Sequence, residues 1–259
     1  SAPLSFSVID ECRLLIVAFV TPPMVMMGHA RPSYGPRIEA AGYTKAKDLH
    51  AFLRDDNSRP VSGAVQRLID RARSDPRVTF RRLSWAQFDR DIQSILAIFN
   101  DAWADNWGFL PFEDAEIRHL AQQLKLLISE DYVAIADVDG EPAAFAMILP
   151  NLNEAIADLD GRLLPFGWAR LLYRLKCHRI RGARMPLMGV RQRYHSSPLG
   201  AVLAYAVLDS LYHTQRAHGF DRYELSWILE DNQPVRSMIE AMGGRAYKTY
   251  RIYQKDLAG

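Results

Sequence analysis

The stretch from Arg184 to Leu203 leaves this chain few ways to fold. Met185 to Val190 is a short apolar run of the kind that makes a buried strand. A polar turn follows from Arg191, and Ser197-Pro198 sits where a helix N-cap and first helical residue belong. Leu199, Val202, Leu203, Ala206, Val207 and Leu211 then recur at helical spacing. A strand feeding a tight turn and a helix start is an anion cradle. The first helical turn leaves backbone N–H groups unpaired and carries the positive end of the dipole.

The chain has 259 residues, enough for one large core or two smaller ones. With 49% hydrophobic and 24% charged residues and a net charge of +2, it is neither a disordered tail nor a generally basic nucleic-acid binder. Cys12 and Cys177 lie far apart and imply a reducing compartment rather than a disulfide framework. The most apolar segment, Leu14 to Met27, is broken by Thr21-Pro22-Pro23 and is too short to span a bilayer. No signal peptide is visible, so the cytoplasm is the expected location. The chain opens Ser-Ala-Pro rather than with Met, which leaves the natural start unfixed.

Read in order, Leu4 to Leu53 predicts strand, strand, helix, strand. Pro32 to Gly42 resembles Pro234 to Gly243: both place Pro near the helix start, Ile-Glu-Ala near its end and Gly as the stop. Lys47 and Lys248 follow at the same offset, which suggests an internal duplication. The expected organisation is a partial half-domain over 1–53, a linker helix within 54–77, and a complete unit over 78–259 carrying an insertion at 151–182. That unit predicts a strand from Val78, a helix on Phe88, Ile92, Ile95, Leu96, Phe99 and Trp103, and a second helix on Ile117 to Ile128. A hairpin turns at Asp139-Gly140. After the insertion come the strand and helix described first, then strand Tyr223–Ile228, helix Pro234–Met242 and strand Ala246–Tyr253.

The order β-α-α-β-β-(insert)-β-α-β-α-β over Val78 to Lys255 resembles the GNAT superfamily of acyl-CoA N-acyltransferases. The resemblance extends to a bacterial group with Asn-Trp-Gly-Phe in the first loop and Ser-Trp-Ile-Leu-Glu-Asp-Asn before the last helix, here Asn106 to Phe109 and Ser226 to Asn232. It implies an α/β fold with a GNAT-like mixed central sheet flanked by helices, here preceded by a partial degenerate repeat. It also implies acyl transfer from acetyl-CoA or another acyl-CoA to a small-molecule or peptide amine. The family's pantetheine strand falls on Met188, Gly189 and Val190. Its diphosphate turn falls on His195, Ser196, Ser197, Leu199, Gly200 and Ala201, with Pro198 in place of the first glycine and His195 in place of Arg or Gln. Asn232 stands where the family has a cofactor-binding Asn, and is equally a good N-cap. The family's tyrosine acid would fall on Ile239, so turnover without it should be slow. The loop used for acceptors places Asn106 and Trp107 at the substrate end.

For a base, Glu224 and Ser226 alternate with Tyr223, Leu225 and Trp227, putting both polar groups on one side of a strand. Glu224 is the chosen candidate, ahead of Glu230 and Asp231. In the insertion, Trp168, Leu171, Leu172 and Leu175 line one helix side, with Arg170, Arg174 and His178 on another. Such a helix lies on a membrane, grips an anion, or caps a sheet; capping, at the border of the acceptor opening rather than as a membrane anchor, is the expectation. No metal site is expected, because the seven histidines are scattered and two cysteines give no zinc spacing. No Walker loop or nucleophile elbow appears. A homodimer is left open, and the rival to an enzyme is a weak or inactive acyl-CoA-binding module.

Overall fold

The computed structural model describes residues 13–55, 58–111, 129–159, 161–162, 164–176 and 180–256. Its strands are β1 Leu14–Val17, β2 Thr44–Arg54, β3 Val78–Arg82, β4 Val133–Val138, β5 Glu141–Pro150, β6 Gly182–Val190, β7 Arg222–Leu229 and β8 Arg245–Gln254. The helices are α1 Tyr34–Ala40, α2 Gly63–Ser74, α3 Phe88–Trp103, α4 Leu152–Ile156, α5 Gly167–Lys176, α6 Pro198–Ala217 and α7 Gln233–Ala241. The helix expected over Ile117 to Ile128 and the strand expected near Leu4 lie outside the described residues. Local chemistry explains the clearest boundaries. Asp139 and Gly140 both take positive φ, 52° and 79°, as a two-residue hairpin turn requires. Ser62 accepts from Val65 N and opens α2.

All eight strands form one mixed sheet in the order β1-β8-β2-β7-β6-β5-β4-β3. The N-terminal segment therefore contributes to the sheet interior: β2 runs antiparallel to β7 on one side and β8 on the other. A single buried cluster joins Phe52 of β2 and Ile69 of α2 to Val207 of α6 and Met238 of α7. The stretches alike in sequence lie side by side. Gly42 and Gly243 end their helices with φ of 84° and 90°. Gly42 N donates to Glu39 O and Tyr43 N to Ile38 O; Gly243 N donates to Glu240 O and Gly244 N to Ile239 O. The pairs Asp48↔Arg251, Leu49↔Tyr250 and His50↔Thr249 make the β2–β8 ladder read alike from either strand.

One irregularity shapes the molecule's centre. β6 and β7 run parallel and pair from Gly182↔Arg222 to Met185↔Leu225, and there the pairing stops. On its other side β6 keeps its ladder with β5 to Val190, except that Met185 and Pro186 together face Ile148 alone. This is a bulge. Pro186, the first residue past the paired segment, has no N–H to offer β7. Beyond Met185 and Leu225 the sheet splays.

Candidate functional site

The two faces of the splay differ in chemistry because successive strand residues point to opposite sides. Met185, Tyr223 and Leu225 face α6 and α7, where they line a small apolar cavity with Leu208, Leu211 and Ile239. Arg54 and Tyr212 stand among its lining residues, with the Arg54 guanidinium stacked 3.9 Å from the Tyr212 ring centroid. Burial pushes Arg54 below its ordinary pKa. Ile239, the residue in place of the family's tyrosine, is thus part of the cavity wall.

The opposite face carries a buried polar cluster. Glu224 is fully buried; its Oε1 accepts from Ser226 Oγ at 2.8 Å and its Oε2 accepts from the Tyr247 hydroxyl. Arg184 Nε donates to Ser226 Oγ at 2.9 Å and lies 3.9 Å from Glu224 Oε1. Burial holds the Arg184 pKa down to about 10, with Glu224 acting against the shift. Burial and Glu224 both push the Tyr247 phenol up, which keeps it a donor. Lys248, also buried, has its pKa lowered by desolvation. Two donors beside this cluster, Tyr250 Oη and Trp227 Nε1, have no hydrogen-bond partner among the described residues, although burial normally demands one.

A strap between β1 and α1 covers the cluster. Arg184 Nη1 donates to Val25 O and Met26 O at 3.2 and 3.3 Å, and Lys248 Nζ donates to Pro22 O at 2.8 Å. Asn153 of α4 donates to Pro23 O and Met24 O from the insertion side. Sequence reasoning missed Arg184, Lys248 and this strap. Arg184 had read as the flank of an apolar run, and the strap as part of a hydrophobic segment. Glu230 and Asp231 pair instead with Lys45 and Lys47, which pins β2 to the end of β7.

The residues expected around an acyl-CoA lie together at the end of β6 and the start of α6, but their polar atoms are already engaged. The Met188 carbonyl accepts from Trp103 Nε1 at 2.9 Å, and His195 Nε2 meets the Val190 carbonyl at 2.7 Å. Gly189 allows α3 to approach: a Cβ there would lie 3.2 Å from Ala102 Cβ. Gly200 N donates to Ser197 O and Ser197 Oγ. A Cβ on Gly200 would stand 2.2 Å from Tyr194 O, so close packing on the turn accounts for this glycine. Ser196, Leu199 and Ala201 flank it, with Ser196 and Ala201 exposed. As a diphosphate cradle the turn is short of donors, because Pro198 has no N–H and Gly200 has spent its own. Asn232 caps α7, accepting from Val235 N at 3.3 Å. Asn106 and exposed Trp107 lie in the turn after α3, three and four residues beyond Trp103 and hence close to the β6 strand that Trp103 contacts.

The insertion corrects one expectation. Of the side expected to cap the sheet, Leu171 packs on the core while Trp168 and Leu172 stand about half exposed. The Leu175 side chain lies outside the described residues. The reason is that Arg174 anchors α5 to α4 instead, through Ala155 O and Asp158. Among the described residues no group of three or more His, Cys, Asp and Glu could hold a metal ion.

No family model matches the chain. It is 44% identical over 255 residues to the "Bacterial ceramide synthase" of Caulobacter vibrioides, covering 98% of this chain and 66% of that protein. It is 43% identical over 257 residues to Protein YghO of Escherichia coli, covering 99% of this chain and 65% of that protein. The chain thus spans just under two thirds of these relatives. Among solved structures, a GCN5-related N-acetyltransferase from Sphaerobacter thermophilus superposes with a TM-score of 0.55 at 12% identity, covering 90% of this chain and 57% of that one. The glucosamine N-acetyltransferase region of a fungal β-N-acetylglucosaminidase gives 0.51, also at 12% identity, covering 86% of this chain and 23% of that one.

Proposed function

We propose that this chain, which has the GCN5-related N-acetyltransferase fold, moves a fatty acyl group from coenzyme A to the amine of a long-chain amino alcohol. The observation that carries the reading is the two-faced splay. Tyr223 and Leu225 open onto an apolar cavity, while Glu224 and Ser226, which alternate with them, belong to a buried polar cluster. We assign the acyl chain to the cavity and the amine to the polar face, so that the two meet where β6 and β7 part. The name of the Caulobacter relative motivates the acceptor class, since a ceramide is the amide of such an amino alcohol. Tyr250 Oη and Trp227 Nε1, which have no hydrogen-bond partner among the described residues, suit an acceptor that brings hydroxyl oxygens beside its nitrogen.

In this scheme the amine nitrogen attacks the thioester carbonyl, a C–N bond forms, and the C–S bond breaks. Glu224 takes the proton that the nitrogen sheds, and Tyr247 holds the carboxylate in place. The leaving thiolate needs no help from Ile239, because a thiol of pKa about 8.5 is already a fair leaving group. Met188, Gly189 and Val190 would flank the pantetheine arm, and Ser196, Ser197, Leu199 and Ala201 the diphosphate.

The engaged carbonyls of Met188 and Val190 and the spent N–H of Gly200 favour a second reading, a weak or inactive acyl-CoA-binding module. Single-turnover thiol release from palmitoyl-CoA with sphinganine decides between them. We expect amide formation that falls about 10²–10⁴-fold in Glu224→Gln with donor affinity nearly unchanged. Donor binding with no amide product would favour the module, and equal rates would remove Glu224 from the mechanism.

A further inference from the structure

The insertion presents an apolar surface that the core does not use. Leu164 is 80% exposed, Phe166 76%, Trp168 51%, and Leu172 and Tyr173 stand about half exposed beside them. Monomeric proteins rarely leave so many large apolar side chains together in water without a partner. Trp168 Nε1 donates to Pro165 O at 2.9 Å, which fixes the ring with its apolar body outward. The charge pattern is one-sided. Residues 161–182 include Arg162, Arg170, Arg174, Lys176, Arg179 and Arg181 but no Asp or Glu, whereas the whole chain carries only +2. Asp158 is shared by Arg174 and, at 3.6 Å, by Arg170, so one carboxylate answers two guanidinium groups; Asp221 pairs with Arg181, and Arg162 makes no ion pair among the described residues.

We propose that Leu164, Phe166, Trp168 and Leu172, flanked by Arg162 and Arg170, form a docking surface for an anionic phospholipid bilayer. The side-chain types decide for a membrane over a soluble polyanion. Aromatic and leucyl groups insert at the headgroup boundary, and arginines lie beside them at the phosphates. At 10 residues α5 is about 15 Å long, so it lies on a bilayer and does not cross it. The same insertion braces the cover of the polar cluster, since Asn153 near its root holds the strap through Pro23 O and Met24 O. An amine carried in a membrane would thus reach the strap from the bilayer side. This last step rests on the proposed acyl transfer; the docking itself does not.

The test is co-sedimentation of the 259-residue chain with phosphatidylethanolamine–phosphatidylglycerol vesicles against pure phosphatidylcholine, alongside light scattering for oligomeric state. We expect binding to the anionic vesicles that weakens with added salt. It should fall about tenfold or more in the double variant Phe166→Ser, Trp168→Ser. Arg162→Glu with Arg170→Glu should lower it about fivefold per position, with thermal melting unchanged in both variants. Binding that is unaffected by the serine pair, equal on both vesicle types, or matched by a soluble oligonucleotide would overturn the proposal. So would a dimer in the parent chain that the serine pair dissolves. Turnover of a soluble amine without vesicle binding would sink the docking surface alone. Vesicle binding without turnover would leave it standing and count against the acyl transfer.

Discussion

Leu211→Trp probes the acyl cavity with a size that can be worked out beforehand. Leu211 is buried on α6 and lines the cavity with Leu225 and Ile239. The lining is almost wholly apolar, as an acyl chain requires. Each methylene that leaves water for such a lining contributes about 0.8 kcal/mol, or about fourfold in affinity. Acyl-CoA affinity should therefore climb about fourfold per methylene with chain length and level off once the cavity is full. An indole at position 211 takes up the room of about three methylenes, so the long-chain thioesters should lose about 2.4 kcal/mol, roughly sixtyfold. Acetyl-CoA, which does not reach that depth, should bind as before. Calorimetric titration with a chain-length series reads both effects. A flat series in the parent chain, or an equal loss for acetyl and long-chain donors in the variant, would show that the acyl group lies elsewhere.

Tyr247→Phe removes the hydroxyl that holds Glu224 Oε2, so single-turnover amide formation should slow with donor affinity constant, and an unchanged rate would refute the positioning role. Gly200→Ala places a Cβ 2.2 Å from Tyr194 O and should cost about 1–3 kcal/mol in urea unfolding. An unchanged midpoint would show that the turn yields. Burial holds the folded pKa of Lys248 below its ordinary value of 10.5, so the unfolded chain binds that proton more tightly. Stability should rise as pH climbs from the folded pKa towards 10.5, and be lowest below that window. Lys248→Met should therefore melt higher than the parent at neutral pH, with the gap closing towards alkaline pH. A gap that holds constant with pH would mean Lys248 is not desolvated.

What could be read from the sequence was what local chemistry determines. The Asp139-Gly140 turn needs two positive φ values, and the spacing from Phe88 to Trp103 sets out one buried helix face; both appear as expected. The alternation of Glu224 with Leu225 was legible because a strand sends neighbours to opposite faces. Its partners were not, because they come from β6, β8 and the strap, far away in sequence. The same distance hid the place of β2 between β7 and β8, since no periodicity in one strand names its neighbours. Gly200 shows a different limit. A helix-start glycine reads as room for a phosphate, whereas here its missing side chain makes room for the Tyr194 carbonyl.

The position of β2 also governs the order in which the molecule is able to assemble. Its ladder with β8 joins Leu49 to Tyr250 and Asp48 to Arg251, the latter pair 203 residues apart in sequence. During synthesis β2 emerges well before β7 and β8, the two strands it pairs with. Until they arrive its edges are unpaired, an invitation to non-native partners. Closing so large a loop is an entropic cost met before any contact rewards it, so this ladder belongs among the last and slowest events of folding. A nascent chain stalled before residue 245 would hold the hairpin of β4 and β5 yet lack the seam that closes the sheet.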